Sequence, residues 1–212
     1  MRLDHVSYAV GHEELADAVQ RFGGELGAGF VDGGRHPRFG TQNFVLPLAG
    51  GTYIELVAAL DHPAAEQAPF GRAVRNRAAQ GGGWLGWVVA VPDIAPVEQR
   101  LGRTAVAGHR RRPDGYDLQW RQIGVLDLIA DPQLPFFIEW ISPTEEHPAR
   151  VGSNVRITKL EIAGDASVLD DWLGEPSTHP LEDIDVEWVT DDGATGIVAV
   201  TFSTPHGDIR LD

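Results

Sequence analysis

Two glutamates stand where glutamate is costly. Glu55 is at the centre of GGTYIELVAA (residues 50–59) and Glu139 is at the centre of LPFFIEWISP (134–143). Both stretches are aromatic and branched, bounded by Gly or Pro, and read as β-strands. They lie 84 positions apart (139 − 55) and share a frame, Tyr53-Ile54-Glu55-Leu56 against Phe137-Ile138-Glu139-Trp140. Alternation puts Tyr53, Glu55 and Val57 on one face and Ile54 and Leu56 on the other. A carboxylate packed into an apolar core costs several kcal/mol. A cleft in which each carboxylate meets a metal, a cation or a substrate explains the pair better. The chemistry would be coordination, or proton transfer by a carboxyl whose pKa the cleft has raised towards neutrality.

The elements that must carry these residues form a repeat. LDHVSYAV (3–10) reads as a strand and His12 to about Phe22 as an amphipathic helix. Two strands around the GGRHPRFG loop follow, and TYIELVAAL closes a β-α-β-β-β unit. The order recurs with WLGWVVAV (84–91), a short helix at PDIAPVEQRLG, then AVAGHRRR, YDLQWRQIGV and PFFIEWISP. The expected organisation is a first module over 1–60, a partly helical linker over 61–83 and a second module over 84–150. Residues 151–212 read as a third, degenerate β-α-β-β-β unit without a centred glutamate. The expected class is therefore α+β.

The 212 residues are 42% hydrophobic, enough for one or two compact domains. The net charge of −14 argues against phosphate-mediated nucleic-acid binding. It is concentrated at the end: residues 151–212 hold 13 acidic and 3 basic residues, whereas residues 1–150 hold 18 and 14. No apolar run is long enough to span a membrane and no signal peptide is visible, so a soluble cytoplasmic protein is expected. Zero Cys excludes thiolate ligands, and 16 Arg against one Lys reads as GC-rich, bacterial genome bias. The glycine runs lack the residues of phosphate loops or a dinucleotide fold, so no nucleotide cofactor is expected.

LDHVSYAV, GGRHPRFGTQNFVLPL, YIELVA, GWVVAVPDI, RRPDGYDLQW and LPFFIEW together resemble the glyoxalase-like domain family of the vicinal oxygen chelate superfamily, which includes glyoxalase I, extradiol dioxygenases and bleomycin-resistance proteins. The resemblance implies paired βαβββ modules whose curved sheets face each other around a cleft. It implies a first-strand His and a last-strand Glu as metal ligands, here His5 and Glu55, with Glu139 equivalent in the second module. A fourth ligand would fall near Gly86 or Trp87, neither of which can ligate through its side chain. His5, Glu55 and Glu139 would then hold Zn, Ni, Mn, Fe or Co with open positions. Alternatively His36 completes the set, or no metal binds and Glu139 is a general base.

His36, Asn43, Trp87, Arg112 and Trp120 are candidate substrate contacts. Period two sends Arg110 and Arg112 to one face of their strand and Arg111 to the other. One or two of these arginines could counter buried carboxylates or bind an anionic substrate. His12, His62, His109, His147, His179 and His206 show no partner pattern and read as surface. The implied function is a small-molecule enzyme, a lyase, isomerase or dioxygenase acting on vicinal oxygens, with Glu55 or Glu139 catalytic. A non-catalytic, drug-sequestering binding protein is the rival. The expected assembly is a monomer or homodimer.

Overall fold

A computed structural model describes residues 1–174, 179–190, 193 and 195–212. The first module is β1 (Arg2–Ala9), α1 (Leu15–Leu26), β2 (Val31–His36), β3 (Thr41–Pro47) and β4 (Tyr53–Ala59). Two linker helices follow, α2 (Pro63–Gln67) and α3 (Pro69–Ala79). The second module is β5 (Gly83–Ala90), α4 (Ala95–Leu101), β6 (Val106–Arg111), β7 (Asp117–Ile123) and β8 (Phe136–Trp140). An extra helix, α5 (Val125–Ala130), interrupts it between β7 and β8 and has no counterpart in the expected plan.

The eight strands close into a barrel ordered β1-β4-β3-β2-β6-β7-β8-β5. Each module pairs its first and last strands in parallel. The modules join through antiparallel β1 and β5, and through a single bridge between Arg35 and Arg111 on β2 and β6. That second seam is possible because residue 34 is glycine. Gly34 has φ +96°, and a Cβ there would collide with the Arg111 carbonyl.

Alternation sorts the strands as the sequence pattern implies. Val6 on β1 and Ile54, Leu56 and Ala58 on β4 face an outer core shared with Phe22 of α1 and Val97 of α4. Ala9, Val57, Val88, Phe136 and Ile138 face the barrel interior. There they meet Phe70 and Val74 of α3 and Leu128 of α5, so the linker plugs the barrel rather than merely joining the halves.

The acidic third unit contains β9 (Arg156–Ala163), α6 (Ala166–Leu173), β10 (Asp185–Val189), β11 (Gly196–Thr204) and β12 (Gly207–Leu211). It keeps the expected element order but pairs differently. Its sheet runs β10-β9-β11-β12, so β9 lies beside the strand that follows its helix rather than beside the last strand. Ile157, Leu160, Val200, Phe202 and Leu211 join the outer core against Trp84 and Phe137. Two indoles fasten the unit: Trp84 Nε1 donates to the Leu211 carbonyl at 3.2 Å and Trp172 Nε1 to that of Pro135 at 2.8 Å. Among the described residues no helix is long and apolar enough to cross a membrane.

The Gly34 seam is testable. Gly34→Ala adds both a left-handed backbone penalty and a backbone collision. It should cost roughly 2–4 kcal/mol in chemical denaturation, and an unchanged midpoint would refute this account of barrel closure.

Candidate functional site

Glu55 lies inside the barrel and is 5% exposed. Its two oxygens are held separately. Ser7 Oγ on the neighbouring strand donates to Oε2 at 2.7 Å, and Asn43 Nδ2 donates to Oε1 at 2.6 Å. His5 Nε2 lies 3.8 Å from Oε2 and His36 Nε2 lies 3.9 Å from Oε1. Burial raises the Glu55 pKa, but His5, His36 and the two hydrogen bonds together outweigh it, and the carboxyl titrates below its usual range. The expectation of a carboxyl tuned towards neutrality therefore does not describe Glu55.

His5 is oriented by Asp4, its neighbour in sequence. Adjacent strand residues normally face opposite ways, but the β1–β5 register shifts between Leu3 and His5. This bulge turns Asp4 and His5 to the same side. Asp4 Oδ1 accepts from His5 Nδ1 at 2.7 Å, and Oδ2 accepts from Trp140 Nε1 at 2.8 Å and from His147 Nε2 at 3.1 Å. Burial opposes ionisation of Asp4, yet hydrogen bonds from His147 and His5 hold its carboxyl far below the usual range. An ionised carboxylate only accepts, so His5 Nδ1 carries the proton of the Asp4 hydrogen bond and Nε2 points towards Glu55. His5 also stacks on Tyr53, with centroids 4.4 Å apart.

Arg110 reaches the same cavity from β6 and is 4% exposed. Its Nη1 donates to Asn43 Oδ1 at 3.1 Å. Asn43 thus stands between guanidinium and carboxylate, and Arg110 is in no ion pair among the described residues. Arg110 Nε is buried with no hydrogen-bond partner among the described residues. Gly33 makes the arrangement possible, because a Cβ there would overlap Asn43 Oδ1 and Arg110 Nη1. Phe39, Phe70, Trp120, Phe136 and Ile138 complete the wall around a cavity of about 30 Å³, room for about two water molecules.

The structure brings together five of the expected residues: His5, His36, Asn43, Glu55 and Trp120. Three others lie elsewhere. On β8, Phe136, Ile138 and Trp140 face the cavity, so Glu139 between them faces out and pairs with Arg121, which also holds Glu98. Strand pairing explains the discrepancy. Tyr53 pairs with His5 and Phe136 with Val88, so the second-module counterpart of Glu55 is Ile138, one residue from Glu139. A shift of one residue inverts every side chain. Trp87 also faces outward, and its Nε1 donates to the Gln133 carbonyl at 2.9 Å. Arg112 lies just past the end of β6, where alternation no longer applies, and pairs with Asp114 and Glu146.

Sequence reasoning overlooked Asp4, Ser7, Gln122 and the linker's Phe70, and read the buried His147 as surface. The Asp-His pair in LDHVSYAV was visible, but not the bulge that makes it a unit.

The residues present do not fit the metal ion that the resemblance implies. Glu139 is on the wrong face, the second-module counterparts of Glu55 and His5 are the apolar Ile138 and Val88, and both Glu55 oxygens already accept short hydrogen bonds. Among the described residues no group of three or more His, Asp or Glu is arranged to hold an ion.

The glyoxalase-like domain family matches residues 3–175, most of the chain. This chain belongs to that family. No curated protein matches it. Among solved structures, a hypothetical protein from Staphylococcus aureus is 15% identical, with a TM-score of 0.72, and the match covers 100% of this chain and 98% of that one. The likeness extends the shared fold through the third unit of this glyoxalase-like protein. Methylmalonyl-CoA epimerase from Mycobacterium tuberculosis is 19% identical, with a TM-score of 0.45 over 67% of this chain and 89% of that one.

His36 supplies a pH test. Burial, with Arg110 nearby, lowers its pKa to about 4 against the pull of Glu55. The unfolded chain binds this proton near pH 6.5 and the folded chain only near 4. Between those values the unfolded state carries more protons, so stability falls as pH falls, by about 3 kcal/mol in all. Denaturant titrations should show this slope in the wild type and lose most of it in His36→Gln. Equal slopes would refute a buried neutral His36.

Proposed function

We propose that this glyoxalase-like protein is a small-molecule enzyme that moves a proton at a carbon next to a carbonyl group. The observation that carries the reading is the chain Asp4–His5–Glu55, which ends at the cavity beside Arg110, an arginine in no ion pair among the described residues. Asp4 holds the His5 proton on Nδ1, so Nε2 is free to take a proton from substrate carbon. The imidazolium formed would lie between two carboxylates, Asp4 and Glu55, each of which stabilises it. Glu55 thus serves as the charge that makes His5 a sufficient base, a different role from the direct proton acceptor suggested by its strand. Arg110 has donors to offer the enolate oxygen that develops as the proton leaves. The small aromatic cavity keeps water from the exposed carbanion. His5 then returns the proton, to the same carbon or its neighbour, as in an isomerisation or epimerisation.

The non-catalytic reading has its own support in the tight, aromatic wall of Phe39, Trp120 and Phe136. One experiment separates the two: exchange of the carbon-bound proton for solvent deuterium, followed by proton NMR on a panel of hydroxyketones and 2-oxo acids. The enzyme reading expects exchange above the buffer rate, at least a hundredfold slower in His5→Gln. It also expects a smaller but clear loss in Asp4→Asn. Binding without exchange across the panel would favour the sequestering protein instead.

A further inference from the structure

The cavity beside Glu55 is too small for an organic substrate, yet it is not isolated. Phe39, Phe70 and Gln122 line both this cavity and a second space of about 410 Å³. The second space is a groove between the linker helices and the start of α5. Ala68 and Pro69 form one wall, and Ile123, Val125 and Leu126 form the other. Val106 and Leu126 at its mouth are 44% and 57% exposed, a large apolar exposure for two residues so close to a candidate site. The volume is in the range that takes small organic ligands. The rings of Phe39 and Phe70, with centroids 5.9 Å apart, and the Gln122 side chain border both spaces.

The inner end carries a second, independent sign. A guanidinium has five N–H donors and a full charge. Burying Arg110 with one neutral partner and an unpaired Nε is costly. Asn43 keeps it from pairing with Glu55, so its charge remains available to a ligand. A carboxylate matches the planar fork of a guanidinium in two parallel hydrogen bonds.

We propose that the substrate is a 2-oxo or 2-hydroxy carboxylate with an unbranched apolar tail, its carboxylate on Arg110 and its tail in the groove between α3 and α5. This rests on the proton-transfer reading above and gives it a substrate class. The carboxylate on Arg110 leaves a remaining guanidinium N–H for the adjacent oxygen and turns the neighbouring C–H towards His5. The Phe39 and Phe70 rings are in edge contact, so an unbranched chain reaches the groove by turning one ring aside, and a branched one meets both. Arg38 and Arg103 stand at the outer end of the groove, where Arg103 is already paired with Asp127 and Arg38 donates to the Ala107 carbonyl. The tail therefore needs no charge of its own.

The test is calorimetric titration of the full chain with 2-oxobutanoate, 2-oxohexanoate and 2-oxooctanoate. Affinity should rise roughly fourfold per added methylene. Arg110→Gln should weaken every member at least about tenfold while keeping the gain per methylene. Arg110→Lys retains charge without the fork and should also weaken binding, which covers the case where the glutamine variant does not fold. Val106→Glu and Leu126→Glu, at exposed positions, should flatten the chain-length dependence. Equal affinities along the series, binding indifferent to both Arg110 variants, or no binding of any acid would overturn the proposal. Deuterium exchange in the shortest acid without length dependence would end the tail subsite and spare the proton-transfer reading. Length-dependent binding without exchange would do the reverse.

Discussion

A carboxylate that stays charged inside a barrel constrains everything packed around it. Glu55 has left water, and only directed donors and nearby imidazoles make its ionised form the stable one. Ser7 and Asn43 each take one oxygen, which requires β1 and β3 to flank β4 in the observed register. Asn43 in turn fixes Arg110, and the pair fits because Gly33 has no side chain. The closure of β2 on β6 through Gly34 brings Arg110 within reach. Loss of any one of these leaves a buried charge with fewer partners, a cost of several kcal/mol.

The two modules share a plan but not a role. The first supplies His5, Ser7, His36, Asn43 and Glu55. The second supplies Trp120, Phe136, Ile138 and Trp140 as an apolar wall, with the Arg110 guanidinium set into it. Symmetry of fold has become asymmetry of chemistry: one sheet carries the polar machinery and the other lowers the dielectric around it. The third unit and the linker serve this division from outside and inside. The third unit covers the outer faces of Trp84 and Phe137, so the barrel wall is buried on both sides there. The linker places Phe70 and Val74 within the barrel, so that a segment joining the modules in sequence becomes part of the site.

Much of the fold was legible because alternation and turn residues report it directly. TYIELVAAL folds as a strand with Glu55 inward and Ile54 and Leu56 outward, as period two requires. His5 came from the family resemblance and His36 and Asn43 from the GGRHPRFGTQN stretch, and the structure places all three around Glu55. What failed was register. Glu139 matches Glu55 as a string, FFIEW against TYIEL, but pairing aligns Ile138 with Glu55, and no local pattern reveals a shift of one residue. Arg112 failed at a strand end, where the turn at Pro113–Gly115 breaks the alternation that Arg110 still obeys. Asp4 was hidden by a bulge, and His147 by distance, since its partner lies 143 positions away. The polar third unit gave its element order readily, but not its pairing, which depends on long-range contacts.

Glu55 is a compensated, ionised carboxylate rather than a carboxyl raised towards neutrality. Carbon-13 NMR on glutamate side-chain carboxyls, with the Glu55 signal assigned by its absence in Glu55→Gln, reads this directly. The account predicts that this signal titrates below the ordinary glutamate range in the wild type and moves upward in Asn43→Leu, where one oxygen loses its donor. A Glu55 signal that titrates above the ordinary range in the wild type, or is unmoved in Asn43→Leu, would contradict it.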